Sequence, residues 1–388
     1  MDYSSFLRYL NDHIDTSGKS GRHIIRFTHP ALFAEFVAQL RGRRRQNPAL
    51  RRVRTSSLLQ ALFCPLSFRD AGAWGRFGLL IEEDVRVAVH SAVMPSKEPS
   101  TGTPWGVRKI GAPDAWSVST GNQVRIGVID TGVDFNHPDL RSSLARGVNL
   151  LNKMSLPFDD NGHGTHIAGT IAASGGSKSM MGVAPRSLIY PVKAFDHNGS
   201  AYVSDIILGI DWCVQNRMNI INMSFGMKSK SQSLQNTVRR AYNAGIVVVA
   251  SSGNDKKSKS ADYPARYAHT ISVGATGRDG RIASFSNHGP RIDIYAPGEK
   301  IKSCWLGGGY REMNGTSMAT SHVSGSIALL LAYRPGLSPG EIKKWLRRTA
   351  RPVYAPTSKM KLGAGEVNAA RLLRGKPVVA SKKPSGKS

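Results

Sequence analysis

Downstream of Thr103 the chain alternates short apolar runs with helical stretches, and that alternation restricts it to few architectures. The apolar runs cover residues 124–130, 188–194, 220–224, 246–251 and 271–275. They are rich in Val and Ile, too short for stable helices, and apolar at successive positions. A strand buried on both faces requires this pattern. Helical spacing is predicted between them over 166–173, 203–215 and 234–243. Strands alternating with helices predict an α/β fold, with a mainly parallel central sheet and helices on both faces.

Upstream, residues 22–91 read as a small α+β unit. Residues 22–28 are strand-like. Helical spacing over 30–41 places Leu32, Phe33, Phe36, Val37 and Leu40 on one face. Further strands are expected at 57–67 and 83–90. Residues 1–21 read as an N-terminal extension. Residues 92–103 contain Pro95, Pro99, Gly102 and Pro104 close by and read as a linker. The large domain is expected over 104–374, followed by a basic, disordered tail over 375–388.

The 388 residues fit one large domain plus a smaller one, and 40% hydrophobic content is enough for a buried core. The three cysteines, Cys64, Cys213 and Cys304, give neither a disulfide framework nor a metal-ligand spacing. They read as buried small hydrophobes. The net charge of +27 is uneven: residues 341–388 hold 13 Lys/Arg against 2 Asp/Glu. A second basic cluster runs from Arg41 to Arg54. No aromatic interleaving or zinc-finger spacing supports specific nucleic-acid recognition, so both clusters read as solvated faces. No apolar run is long enough to span a bilayer, and no export segment follows Met1. The chain as written reads as soluble and cytoplasmic, with secretion open if the N-terminus is incomplete.

Four residues stand where chemistry is expected. Asp130 closes the first apolar run, at the carboxyl end of a parallel strand where α/β sheets place their sites. His163 lies in Asn161-Gly162-His163-Gly164-Thr165-His166 at the start of a helix. Asn254 follows the run 246–251, where a side-chain amide can donate to an oxyanion. Ser317, in Asn314-Gly315-Thr316-Ser317-Met318-Ala319-Thr320, opens a long apolar helix. Free N–H groups and the helix dipole favour negative charge there. His163 and His166, three apart, also allow a metal-hydrolase reading, but no third ligand is evident.

The motifs Val128-Ile129-Asp130-Thr131-Gly132, His163-Gly164-Thr165-His166-Ile167-Ala168-Gly169-Thr170 and Gly315-Thr316-Ser317-Met318-Ala319 stand in the order Asp, His, Ser. With Gly253-Asn254 between the second and third, the chain resembles the subtilisin-like serine proteases, or subtilases. The resemblance is strong over about 103–374 and weaker over 22–90. It implies endopeptidase cleavage through an acyl-enzyme, with Asp130, His163 and Ser317 as triad and Asn254 in the oxyanion hole. It implies that Ser224-Phe225-Gly226 and Ser251-Ser252-Gly253 form the walls of the substrate groove. Asp262 would lie at the bottom of the pocket for the residue before the scissile bond, favouring Arg or Lys. The unit 22–91 would be a removable inhibitory propeptide, cut by the enzyme itself between about His90 and Lys97. Catalysis would need no cofactor. Structural calcium would use Asp139, at a site weakened by Gly176 and Lys178. Ser321 replaces the family's usual proline. The expected partners are polypeptide substrates and the chain's own propeptide, with the enzyme a monomer. A rival reading is a basic anionic-surface binding protein on a retired protease fold.

Overall fold

The computed structural model describes residues 3–15, 21–66, 78–89, 92–94, 102–175, 179–354 and 364–375. The N-terminal unit is built on an antiparallel sheet of four strands: β1 (Arg22–Phe27), β2 (Arg54–Ser56), β3 (Ala61–Pro65) and β4 (Leu79–Glu83), in the order β2-β3-β1-β4. Strand alternation gives this sheet two buried faces. Ile25, Phe27 and Leu62 pack under the helix Pro30–Arg43 through Phe33, Phe36 and Leu40. Ile24, Ala61 and Phe63 point the other way and join the core of the large domain.

Sequence spacing did not reveal the helix Tyr3–His13 within the N-terminal extension. It lays Phe6, Leu7 and Leu10, all fully buried, onto the same face as the helix Pro30–Arg43. Burying each of these contributes about 1.5–3 kcal/mol. Two expected strands break in the structure. The run 57–67 is a turn at Ser57–Gln60, with Gln60 at φ 58°, followed by β3. The run 83–90 divides into β4 and β5 (Arg86–Val89), because Asp84 between them turns its carboxylate onto Ser204 of the large domain. The expected linker also contains β6 (Ala92–Met94). The remaining linker positions 95–101 and the tail beyond Gly375 lie outside the described residues.

The large domain centres on seven parallel strands: β7 (Arg125–Asp130), β8 (Val148–Asn149), β9 (Leu188–Lys193), β11 (Ile220–Met223), β13 (Val247–Ser251), β14 (Ile271–Thr276) and β15 (Ile294–Pro297). Their order is β15-β14-β13-β11-β7-β9-β8. Every residue of β11, β13 and β14 is buried, as their unbroken apolar character demands. Helices Val203–Gln215 and Gln232–Asn243 cover one face. The other is covered by His163–Ala172 and Thr316–Tyr333, which pack on each other. The last of these is buried on all sides from Thr316 to Leu330. From β7 the chain runs out to the edge strand β8, returns to β9 beside β7, and then crosses to β11, β13, β14 and β15 on the other side. The carboxyl ends of β7 and β11 therefore form the switch point at which such sheets bind ligands.

Four short strands line this end of the sheet. They are β10 (Ser200–Tyr202), β12 (Phe225–Gly226), β16 (Ile301–Cys304) and β17 (Tyr310–Asn314). β5 of the N-terminal unit lies between β10 and β12, antiparallel to both, and β6 pairs antiparallel with β17.

Candidate active site

Asp130 is the last residue of β7 and is fully buried. Its Oδ1 accepts a hydrogen bond from the Thr131 amide at 2.8 Å and meets His163 Nδ1 at 2.6 Å. His163 is the first residue of its helix and is also buried. Gly162 before it has φ 105°, and a Cβ there would sit 2.3 Å from the Trp305 ring, so both conformation and space require glycine. Asp159 holds the turn. Its Oδ1 accepts from the Asn161 and Gly162 amides and from Thr131 Oγ1, and its Oδ2 from the amide and hydroxyl of Thr165. Lys193, from the end of β9, donates to the Thr131 carbonyl and to Asp160, both at 2.6 Å. Among the described residues His163 Nε2 makes no hydrogen bond.

Ser317 lies in the first turn of its helix and is fully buried. Its hydroxyl donates to the Ser224 carbonyl at 2.8 Å. Ser224 in turn is held by Asn222, whose Nδ2 donates to Ser224 Oγ at 2.8 Å. Ser321 donates back to the Ser317 carbonyl at 3.1 Å, the local bond open to serine and closed to proline at this position. Asn254 is fixed through its carbonyl end. Oδ1 accepts from the Thr316 amide at 3.0 Å and from Thr316 Oγ1 at 2.9 Å. The N–H donors of the amide are thereby turned away from Thr316.

The predicted groove walls come together. Phe225 and Gly226 form β12, and Ser251 closes β13 with Ser252 and Gly253 beyond it. The Ser251 hydroxyl donates to the Phe225 carbonyl at 3.2 Å and ties one wall to the other. Asp262 is 4% exposed, and its amide donates to the Ser252 carbonyl at 2.9 Å. A Cβ on Gly253, at φ 101°, would approach its carboxylate to 2.5 Å. Asp262 is thus buried against the wall. Lys228 stands beside it as a cation partner, at 2.7 Å.

His166 and Asp139 are both held by internal hydrogen bonds. His166 Nε2 reaches the carbonyls of Ile301 and Arg311 at 3.0 and 3.1 Å, and burial pushes its pKa down to about 3. A ring nitrogen shared between two carbonyls is an N–H donor and is not open to a metal. Asp139, His137 and Cys304 cluster and are buried. However, Asp139 Oδ2 accepts from the Met180 amide at 2.9 Å and the Tyr310 hydroxyl at 2.7 Å. His137 Nε2 contacts the Gly309 carbonyl at 2.9 Å. The Met180 and Ser179 carbonyls accept from Gly175 and Gly102. A hard cation needs oxygen acceptors, and here Asp139 Oδ2 and one lone pair of each of these carbonyls are already used. Gly176 and Lys178 lie outside the described residues. The three cysteines are free and buried, and burial pushes each thiol pKa up.

Sequence reasoning missed Asp159, Lys193, Thr316 and Lys228. Asp159 carried a signal, since an acid ahead of a helix with Thr165 in its first turn is a capping pattern. Lys193 and Lys228 act through contacts between distant elements and carry no local signature, and Thr316 stands in the serine motif without showing there its hold on Asn254.

Residues 121–368 match the model of the subtilase family. The chain is 41% identical over 273 residues to a thermostable alkaline protease of Halalkalibacterium halodurans, covering 70% of this chain and 74% of that protein. It is 43% identical over 252 residues to a subtilisin of Bacillus pumilus, covering 64% of this chain and 91% of the relative. It is 41% identical over 275 residues to subtilisin E of Bacillus subtilis, covering 70% and 72%. Subtilisins use no cofactor for catalysis and commonly carry structural calcium. With a family match over most of the large domain and its α/β sheet in place, the chain belongs to the subtilase family and is a serine endopeptidase.

Proposed function

We propose that Asp130, His163 and Ser317 form the catalytic triad of this protease. The observation that carries the reading is the 2.6 Å contact between buried Asp130 and His163 Nδ1. It fixes the imidazole tautomer and leaves Nε2 as the basic atom. Ser317 attacks the peptide carbonyl. His163 takes its proton and returns it to the leaving amine, while Asp130 stabilises the imidazolium. Asn254 Nδ2 and the Ser317 amide hold the oxyanion. In the resting arrangement the Ser317 hydroxyl is held by the Ser224 carbonyl. In catalysis the hydroxyl leaves the Ser224 carbonyl and gives its proton to His163 Nε2. The test is a peptide assay with a serine-directed irreversible inhibitor. Loss of activity with the label on Ser317 supports the assignment. Full activity with Ser317 labelled overturns it.

Substrate polypeptide binds as a strand between β10 and β12, with Ser251, Ser252 and Gly253 as the far wall of the pocket. Asp262 gives that pocket a preference for Arg or Lys. Residues 22–91 act as an inhibitory propeptide, and the processed enzyme works as a monomer. The pairing of β5 with β12, in which Val89 faces Phe225 and Ala88 faces Gly226, supports this. Beyond the site, Ala92 faces Asn314 on β17. Val89 and Ala92 thus pair with strands on different sides of the site. Self-cleavage falls at a bond between these two residues, at the N-terminal end of the 90–97 window and away from Lys97. Terminal sequencing of mature enzyme should begin at residue 90, 91 or 92. Active material retaining Met1 would contradict a removable propeptide.

A further inference from the structure

Lys228 stands two residues beyond β12, and its Nζ donates to Asp262 Oδ2 at 2.7 Å and to Asp255 Oδ2. The three charges differ in setting. Asp262 is almost fully buried, with its side chain 4% exposed, whereas those of Lys228 and Asp255 are 50% and 38% exposed. The segment carrying Lys228 is tied to the one carrying Asp262. Met227 and Tyr263 exchange reciprocal backbone bonds at 2.8 and 2.9 Å. The ammonium is thus anchored at the pocket floor by its backbone, yet sits on a flexible four-carbon stem with one foot in solvent.

This arrangement has an electrostatic consequence. A buried carboxylate without a counter-ion repels an apolar guest through the cost of its own desolvation. With Lys228 in place the charge of Asp262 is balanced when an apolar side chain enters. When Arg or Lys enters, two cations compete for one carboxylate, and Asp255 offers Lys228 an alternative partner nearer solvent.

We propose that Lys228 is a specificity-determining residue, a resident counter-ion that admits apolar side chains to the pocket over Asp262 and withdraws to Asp255 when a basic one enters. The inference rests on the reading that Asp262 faces the pocket for the residue before the scissile bond.

The test uses mature enzyme and two peptides that differ only in Arg or Phe at that residue. The readout is the ratio of their kcat/KM values, which is internal to each preparation and independent of the yield of active enzyme. Lys228→Met should raise the Arg:Phe ratio by about tenfold or more, because the nearly buried Asp262 carboxylate then meets the guest without the charge of Lys228 beside it. Asp255→Asn should lower it, because Lys228 then has only Asp262. Asp262→Asn should lower it below the unmodified enzyme and make it insensitive to Lys228→Met in the double variant. If Asp262→Asn moves the ratio while Lys228→Met and Asp255→Asn each leave it within twofold, Lys228 is no determinant and the proposal is overturned. If Asp262→Asn also leaves it unchanged, the pocket reading of Asp262 fails and the proposal with it. Should Lys228→Met not mature, the opposite-signed shift in Asp255→Asn decides.

Discussion

At the scale of single residues, the site works by fixing one end of a group so that the other end is committed. Asn254 is the clearest case. Thr316 occupies its Oδ1 with two donors, so the amide presents its N–H end without a rotamer search. Asn254→Ala should lower kcat by ~10²–10³ with KM little changed, as for loss of one oxyanion donor. Steady-state kinetics on a peptide substrate checks this; a fall confined to KM would remove Asn254 from the oxyanion hole. Asp130, His163, Asn254 and Ser317 were legible in the sequence because each sits in a short motif with its own local geometry. Lys228 was not, because it meets Asp262 only once β12 and the loop after Gly253 are folded side by side. Thr316 was visible within its motif, but its role as the holder of Asn254 depends on an element far upstream.

At the scale of elements, the N-terminal unit is held by caps. Asp84 Oδ1 and Oδ2 accept from the Ser204 amide and hydroxyl at 2.8 and 2.6 Å, at the start of helix Val203–Gln215. Glu82 Oε2 accepts from the Ser233 amide and hydroxyl at 2.9 and 2.7 Å, at the start of helix Gln232–Asn243. Each places a carboxylate on unsatisfied N–H groups and the positive end of a helix dipole. Loss of such a cap typically costs ~1 kcal/mol, which corresponds to about fivefold in an equilibrium. Glu82→Ala and Asp84→Ala should therefore each weaken inhibition of the mature enzyme by the released N-terminal piece about fivefold. Inhibition titrations check this, and unchanged inhibition in both would show that the caps do not hold the unit. The sequence indicated strands at 57–67 and 83–90 from apolar content. It did not show where they break, because both breaks serve contacts with the large domain. Leu59 leaves its strand to join the large domain's core, and Asp84 leaves its own to reach Ser204. The five predicted strands of the large domain survived to within a residue or two because burial on both faces writes itself into every position. The strands β8, β10 and β12, of two or three residues, carry too few positions for such a pattern, and β16 and β17 are only partly buried and not continuously apolar.

At the scale of the whole molecule, the two helices that carry the site also set its acid tolerance. His166 and His322 lie in the helices His163–Ala172 and Thr316–Tyr333. Burial pushes their pKa values down to about 3 and about 4. Unfolded, both imidazoles titrate near the ordinary value of 6.5. Below pH 6.5 the unfolded chain therefore binds protons that the folded chain does not. Stability from this source is fully present above pH 6.5 and falls as pH drops towards about 4 for His322 and about 3 for His166. Denaturant midpoints measured across this range should decline with acid, and less steeply in His322→Asn. An equal slope in the variant would show that His322 is not held neutral.

The architecture as a whole followed from the alternation of apolar runs and helices, whereas the N-terminal unit's seat was expected only from the family resemblance. That seat depends on β5 and β6 finding partners more than a hundred residues away. Removing the Ser317 hydroxyl is the most direct test of the triad. Steady-state peptide hydrolysis should fall by ~10⁶ in Ser317→Ala, the scale seen when the nucleophile of a triad is removed. Intact-mass measurement should then find the chain uncut at all 388 residues. Hydrolysis at the unmodified rate, or a chain still cut between Val89 and Ala92 by its own activity, would contradict it.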